Sequence, residues 1–330
     1  MRLIVQIPCY NEAKTLPLTV KDIPRKIEGI TSVEVLVIDD GSTDDTAQVA
    51  RECGVDHVIR FTKNKGLARA FAAGIDCSVK AGADIIVNTD GDNQYYGGDI
   101  PRLIQPILEG RADMVIGDRE VLKLPLFSPL KKFLQLLGSA SVRYVSQTDV
   151  PDATSGFRAF SREAAMRLNV VSEFTYTLET IIQAGKMNMA IEHLPVRTNR
   201  RLRESRLFST KGQYIKRSLG TIIRTYTMYE PLKVFSYVGA LVFGAGLLLG
   251  LRFLYYFFFK SPAGHVQSLI LAAVLLIVGV QLVMMGILAD LTGSNRKLME
   301  EVLYRLKKRE IAPPEEGETF RGMPSQKDES

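Results

Sequence analysis

The chain has 330 residues, 46% of them hydrophobic, which is enough for one large domain of about 200 to 250 residues and excludes a single small module. Its net charge of +6 is uneven: Lys and Arg crowd from Arg197 to Lys233 and from Arg296 to Arg309, which suits an anionic surface or anionic ligands and gives no sign of a nucleic-acid partner. Cys9, Cys53 and Cys77 form no CxxC pair and follow no secretory signal, so reduced thiols in the cytosol are expected.

Taken in chain order, short apolar runs ("LIVQIP", "VEVLVIDD", "HVIRF", "DIIVNTD", "ADMVIGD") alternate with helical patterns such as "TDDTAQVARECG" and "GLARAFAAGIDCSVKAG". Continuous apolar strands separated by helices predict an α/β domain built on a mostly parallel sheet covered on both faces. Several of these strands end in Asp, and open α/β sheets bind ligands beyond the carboxyl ends of their strands. Helix capping accounts for Asp44 and Asp45 better than for Asp39, Asp40, Asp90 and Asp92.

From Leu232 the character changes. "LKVFSYVGALVFGAGLLLGL" and "SLILAAVLLIVGVQLVMMGILADL" are each long enough to cross a hydrocarbon core of about 30 Å, with a short outer loop between them. Basic residues flank the other two ends, so the positive-inside rule places the N-terminal domain and the C-terminal tail in the cytoplasm. A buried hairpin in a soluble protein is the alternative. The expected divisions are a cytosolic domain over 1–210, a juxtamembrane stretch over 211–231, two spans over 232–292, and a basic helix with a disordered tail over 293–330. The juxtamembrane stretch reads as an amphipathic helix on the inner leaflet or as a surface helix packed on the domain. Gly246 and Gly250 form a GxxxG that suggests helix packing.

The stretch "IIVNTDGDNQYY" ends an apolar strand with Asp90 and Asp92 one residue apart. Two carboxylates held close repel each other unless a proton or a cation lies between them, and Mg²⁺ is commonly held by one or two carboxylates together with substrate phosphates. Asn93 and Gln94 offer a neutral oxygen or a hydrogen bond to the same site.

In order along the chain stand "IPCYNEAKTL", "VIDDGSTDDT", "NKGLARAFAAG", "NTDGDNQY" and "DATSGFRAF". Together they resemble the family 2 nucleotide-sugar glycosyltransferases of GT-A (Rossmann-like) fold, in the branch similar to dolichyl-phosphate mannose synthase and bacterial polyprenyl-phosphate glycosyltransferases. The resemblance runs from about Ile4 to Arg206, and the two spans resemble the membrane-anchored members. It implies that Pro8, Tyr10, Asn11 and Glu12, with Asp39, Asp40 and the following Gly41 and Ser42, hold the nucleoside, beside Asn64 and Gly66. It further implies that Asp90, Gly91, Asp92 and Gln94 form the D-x-D-x-Q turn in which Asp90, Asp92 and Gln94 bind Mg²⁺ or Mn²⁺ on the diphosphate. Arg119 matches the family's arginine after a Ser or Asp, and Asp152, Ser155, Gly156 and Arg158 match D-x-T-S-G-F-R. Where the branch carries R-x-x-G-x-S-K, this chain reads "RRLRESRL": Arg200, Ser205 and Arg206 fit, while Arg203 replaces the glycine.

The implied activity is inverting, metal-dependent transfer of a hexosyl group from a UDP- or GDP-sugar to undecaprenyl or dolichyl phosphate, by a multi-pass membrane protein with its catalytic domain in the cytoplasm. An acceptor phosphate is already ionised near neutral pH and hardly needs a general base. Arg119, Arg158, Arg200 and Arg206 are candidates to hold it, and Asp152 serves either as base or, as favoured here, to orient an arginine. Two rivals remain. A processive polysaccharide synthase requires a Q-x-x-R-W motif, and the chain has no Trp. A non-catalytic sugar-nucleotide-binding membrane subunit has no need for clustered carboxylates. The oligomeric state is left open, including a homo-oligomer.

Overall fold

The computed structural model describes residues 1–120, 139–140, 142–171, 176–199, 220, 223–224, 226–259 and 266–311. The expected disordered tail, the outer loop and most of the juxtamembrane stretch lie outside them.

The strands are β1 (Arg2–Cys9), β2 (Ser32–Asp39), β3 (His57–Arg60), β4 (Ile85–Asn88), β5 (Met114–Asp118), β6 (Arg158–Ser161) and β7 (Ile191–Pro195), in one seven-stranded sheet of order β3-β2-β1-β4-β6-β5-β7. All pairings are parallel except those of β6, which runs antiparallel to β4 and to β5. The expected mostly parallel α/β sheet is therefore present with one reversed strand. Pairing of Asn88 with Arg158 brings residues 152–157, which precede β6, to the rim where the parallel strands end.

Helices α1 (Leu16–Asp22), α2 (Thr46–Glu52), α3 (Leu67–Lys80), α4 (Ile100–Leu108), α5 (Arg162–Arg167) and α6 (Thr177–Lys186) cover the sheet. Successive strand residues point to opposite faces. In β1, Leu3, Val5 and Ile7 join one buried cluster with Leu16, Leu103 and Ile104, while Ile4 joins another with Phe71, Ile75 and Ile181. Central strands buried on both faces explain the unbroken apolar runs. Two polar residues interrupt them: Gln6 and Asn88 are fully buried on the α3 face, where Gln6 Nε2 donates to Asn88 Oδ1 at 2.9 Å.

Helices α7 (Pro231–Phe259) and α8 (Val266–Ile311) are long and apolar enough to cross a membrane. They pack along a glycine seam. A Cβ on Gly239 would lie 2.9 Å from Gly279 O, one on Gly246 3.0 Å from Leu275 Cβ, and one on Gly286 2.9 Å from Phe235 Cβ. Gly250 faces open space, so the expected Gly246/Gly250 motif is corrected: each helix contributes glycines seven residues apart, the spacing that keeps one face toward a partner. The boundary expected at residue 292 falls inside α8, which continues unbroken to Ile311.

Candidate active site

The loops after β1 and β2 are stapled together. Asn11, at φ 56°, donates its backbone N–H to Ser42 Oγ at 2.9 Å, and its Oδ1 accepts from Thr43 N at 2.8 Å. Glu12 N donates to Thr46 Oγ1 at 2.9 Å, and the Glu12 carboxylate accepts from Thr15 Oγ1 at 2.7 Å. Asn11 and Glu12 thus shape the rim. Pro8 lies near the end of β1, and Tyr10 stands 40% exposed at the rim.

The two carboxylates of "DDG" differ in environment. Asp40 accepts from Lys65 N at 2.7 Å and Gly66 N at 2.9 Å, so it clamps the loop that carries exposed Asn64 and opens α3. Asp39 is fully buried; its Oδ1 accepts from Ser42 N at 2.9 Å, while its Oδ2 accepts no hydrogen bond among the described residues and is ion-paired with Arg60 Nε at 3.2 Å. A buried carboxylate oxygen held only by a half-exposed guanidinium can still accept from a donor on a ligand. After them Gly41, at φ 67°, leaves no room for a side chain against Lys63 and Asn64.

After β4 the chain makes the Asp90–Gly91–Asp92 turn. Gly91 is buried, a Cβ there would lie 2.7 Å from Cys9 Sγ, and its carbonyl accepts from Thr15 Oγ1 at 2.9 Å. Asp92 Oδ1 accepts from Gln94 N at 3.1 Å. Asn93 does not offer its oxygen to the site, as expected for it in one reading; its Oδ1 accepts from Asn199 Nδ2 at 3.1 Å. Asp90 is half-buried against Gly156, and its carboxylate accepts no hydrogen bond among the described residues. Burial first, and then the neighbouring Asp92 charge, push the Asp90 carboxyl up to about 7. Among the described residues no three or more of His, Cys, Asp and Glu converge as a metal cage. Two unbalanced carboxylates with an open side fit a hard dication that completes its shell with water and phosphate oxygens.

Beneath Asp90 lies an aromatic floor that sequence reasoning missed. Asn88 Nδ2 donates to Gly156 O and to Tyr176 Oη, both at 2.8 Å; Tyr176 stacks on Phe71 with ring centroids 3.9 Å apart; Gly156 N donates to Tyr95 Oη at 2.9 Å. The only signal in the sequence is the pair of polar residues, Gln6 and Asn88, inside otherwise apolar strands.

Across the rim, Arg119 grips Asp152 with its planar fork, Nε to Oδ2 at 2.7 Å and Nη2 to Oδ1 at 2.9 Å, and also donates to Thr154 Oγ1 at 2.7 Å. Burial pushes the Asp152 carboxyl up, but the charge and hydrogen bonds of Arg119 outweigh it and hold the carboxyl below the usual range. Arg158 calls for a correction. It was expected to face the incoming phosphate; instead it is fully buried and donates to Ser155 O (2.8 Å), Thr177 O (2.8 Å), Thr180 Oγ1 (2.7 Å) and Ala153 O (2.9 Å). So placed, it braces the turn from below. Burial lowers it to about 10, which leaves it charged near neutral pH.

Arg200, Ser205 and Arg206 lie outside the described residues. Asn199, just before them, is tied to the Asp90–Asp92 turn: its N donates to Gln94 O at 2.9 Å, and its Nδ2 reaches Asp22 Oδ2 as well as Asn93 at 3.1 Å.

A mostly parallel sheet with an acidic rim after β1 and β2 and a D-x-D turn after β4 defines a glycosyltransferase of the GT-A class. The chain belongs to glycosyl transferase family 2, whose model matches residues 4–168, and residues 230–294 match the GtrB C-terminal hairpin. Among similar proteins are the dolichol-phosphate mannosyltransferase of Pyrococcus furiosus, 32% identical over 78% of this chain and 72% of that one, and the undecaprenyl-phosphate mannosyltransferase of Micrococcus luteus, 28% identical over 63% and 88%. Glucosyl-3-phosphoglycerate synthase from Mycobacterium tuberculosis, crystallised with Mn²⁺, UDP-glucose and phosphoglyceric acid, shares the fold with a TM-score of 0.55 at 21% identity, covering 68% of this chain and 79% of that one.

Proposed function

We propose that this glycosyltransferase moves a hexosyl group from a nucleotide diphosphate sugar to the phosphate of a membrane polyprenol, at the cytoplasmic membrane face and with inversion at the anomeric carbon. One observation carries the reading: the unpartnered Asp90 carboxylate and Asp92 open onto the same rim as the Arg119–Asp152 pair, in a chain that also bears two membrane-length helices. The names of the relatives above support the lipid acceptor.

In the transfer, an oxygen of the acceptor phosphate forms the bond to the anomeric carbon as the bond from that carbon to the diphosphate oxygen breaks. Mg²⁺ or Mn²⁺ held by Asp90 and Asp92, with Gln94 in the same turn, would neutralise the departing diphosphate. Asp39 accepts from the nucleoside through Oδ2, beside Arg60, and Asp40 holds the Asn64–Gly66 loop against it. Arg119, fixed in direction by Asp152, offers its charge to the incoming phosphate; Arg200, Ser205 and Arg206, outside the described residues, are assigned to the same phosphate on the sequence resemblance alone. The chain's contribution is alignment and charge compensation, since the nucleophile arrives ionised.

The test is a panel of radiolabelled nucleotide sugars incubated with membranes containing the enzyme. Label is expected in a butanol-extractable monosaccharide lipid, and Asp92→Ala is expected to abolish it with the protein still folded. Label in polymer, or none with any donor, overturns the acceptor; full activity of Asp92→Ala overturns the role of the turn.

A further inference from the structure

Helix α8 has 46 residues, roughly 70 Å at 1.5 Å per residue, about twice what a hydrocarbon core needs. Its surplus lies at the C-terminal end, where it docks on the catalytic domain. Tyr304 is 7% exposed, its Oη donates to Glu163 Oε2 at 2.8 Å, and the Arg167 guanidinium lies 4.0 Å from its ring centroid. Lys307 Nζ pairs with Asp76 at 3.2 Å, Glu310 pairs with Lys80 at 3.2 Å, and Ile311 packs against the core cluster on the α3 face. At the base of the hairpin a second stack repeats the device, with the Arg296 guanidinium 3.9 Å from the Tyr229 ring centroid, and Lys186 of α6 pairs with Glu230 at 2.7 Å.

Exposed ion pairs are weak one at a time, so the buried tyrosine fixes the register and the charges follow it. What the docked end touches is informative. Asp76 and Lys80 belong to α3, whose opposite end begins at Gly66, in the loop clamped by Asp40. One rigid helix therefore joins the nucleotide rim to the membrane helix.

From this geometry we infer that the cytosolic end of α8 is a latch, with Tyr304 as its positioning residue, that sets the height and tilt of the active site over the bilayer. A lipid-borne phosphate is confined to one plane, so a fixed height presents the site to it in a single orientation. This rests on the lipid-phosphate acceptor proposed above.

The experiment uses the full-length enzyme in proteoliposomes with two acceptors, an embedded long-chain polyprenyl phosphate and a short, water-soluble prenyl phosphate. Tyr304→Ala and Lys307→Glu are expected to raise the apparent KM for the embedded acceptor roughly tenfold while kcat and KM for the soluble one stay within about twofold. Asp76→Lys combined with Lys307→Glu is expected to restore the embedded reaction. Energy transfer from a fluorophore at Glu28 to a headgroup dye reads the height directly; one narrow efficiency is expected for the wild type and a broadened one for the single variants. Equal losses on both acceptors, or a height distribution unchanged by the variants, overturns the latch. A wild type active on neither acceptor overturns the functional reading instead, and the energy-transfer arm still decides the latch.

Discussion

Four oxygens converge on the guanidinium of Arg158, and none has another side-chain cation to turn to in that buried pocket. Arg158→Met is expected to lower stability by about 3 to 5 kcal/mol, because four buried oxygens lose their charged donor together. Thermal unfolding in detergent measures this; an unchanged melting temperature with lost transfer would return Arg158 to a direct role on the phosphate. Asp152 gives the pH dependence. Its folded carboxyl titrates below its unfolded value, so the Arg119 pairing stabilises the protein fully above about pH 4 and is lost as pH falls toward the folded value. Asp152→Asn is expected to flatten the acid limb of a melting curve taken from pH 7 to 3; an equally steep limb would place the acid sensitivity elsewhere. At this scale motif and spacing identified Asp39, Asp40, Asp90, Asp92, Arg119 and Asp152 as rim residues. They could not separate Asp39 from Asp40, because the difference lies in which one meets the N–H groups of Lys65 and Gly66 some 25 residues on. Nor could they tell a buried arginine from an exposed one, since both read as the same letter in the same motif.

Among the elements, the strand runs were legible because central strands buried on both faces leave continuous apolar letters. The reversal of β6 was not, since four residues carry no mark of direction. The spans were legible by length; their packing was not, because a chance GxxxG and the seven-residue seam share Gly246. Gly246→Leu is expected to cost about 1 to 3 kcal/mol through overpacking against Leu275, while Gly250→Leu stays within about 0.5 kcal/mol. Denaturation of the detergent-solubilised protein compares them, and equal effects would reject the seam.

On the scale of the whole molecule, the catalytic core is not closed by residues 1–199 alone. Tyr226, Tyr229, Tyr304 and Ile311 complete the cluster on the α3 face. A chain ending at Met299 loses the buried Tyr304, at about 1.5 to 3 kcal/mol, and with it the smaller contribution of the partly buried Ile311, and is expected to melt several degrees lower, about 5 to 10 °C. Nucleotide affinity, measured by calorimetry on the same protein, is expected to persist, since the loops around Asp39 and Asp90 precede the cut. An unaltered melting temperature would show that the tail contributes nothing to the core.

The backward course of β6 divides the rim by chain position. On the proposed reading the groups that address the sugar nucleotide all come before it, on loops leaving strands that run one way; Asp152 and the residues that follow arrive against that traffic, to meet Arg119 at the end of β5. On that reading the donor grip and the acceptor grip are written in consecutive stretches of one polypeptide, divided near Gly110. A chimera joined near residue 110, which keeps Arg119 and Asp152 together, is expected to inherit its sugar from one parent and its lipid from the other.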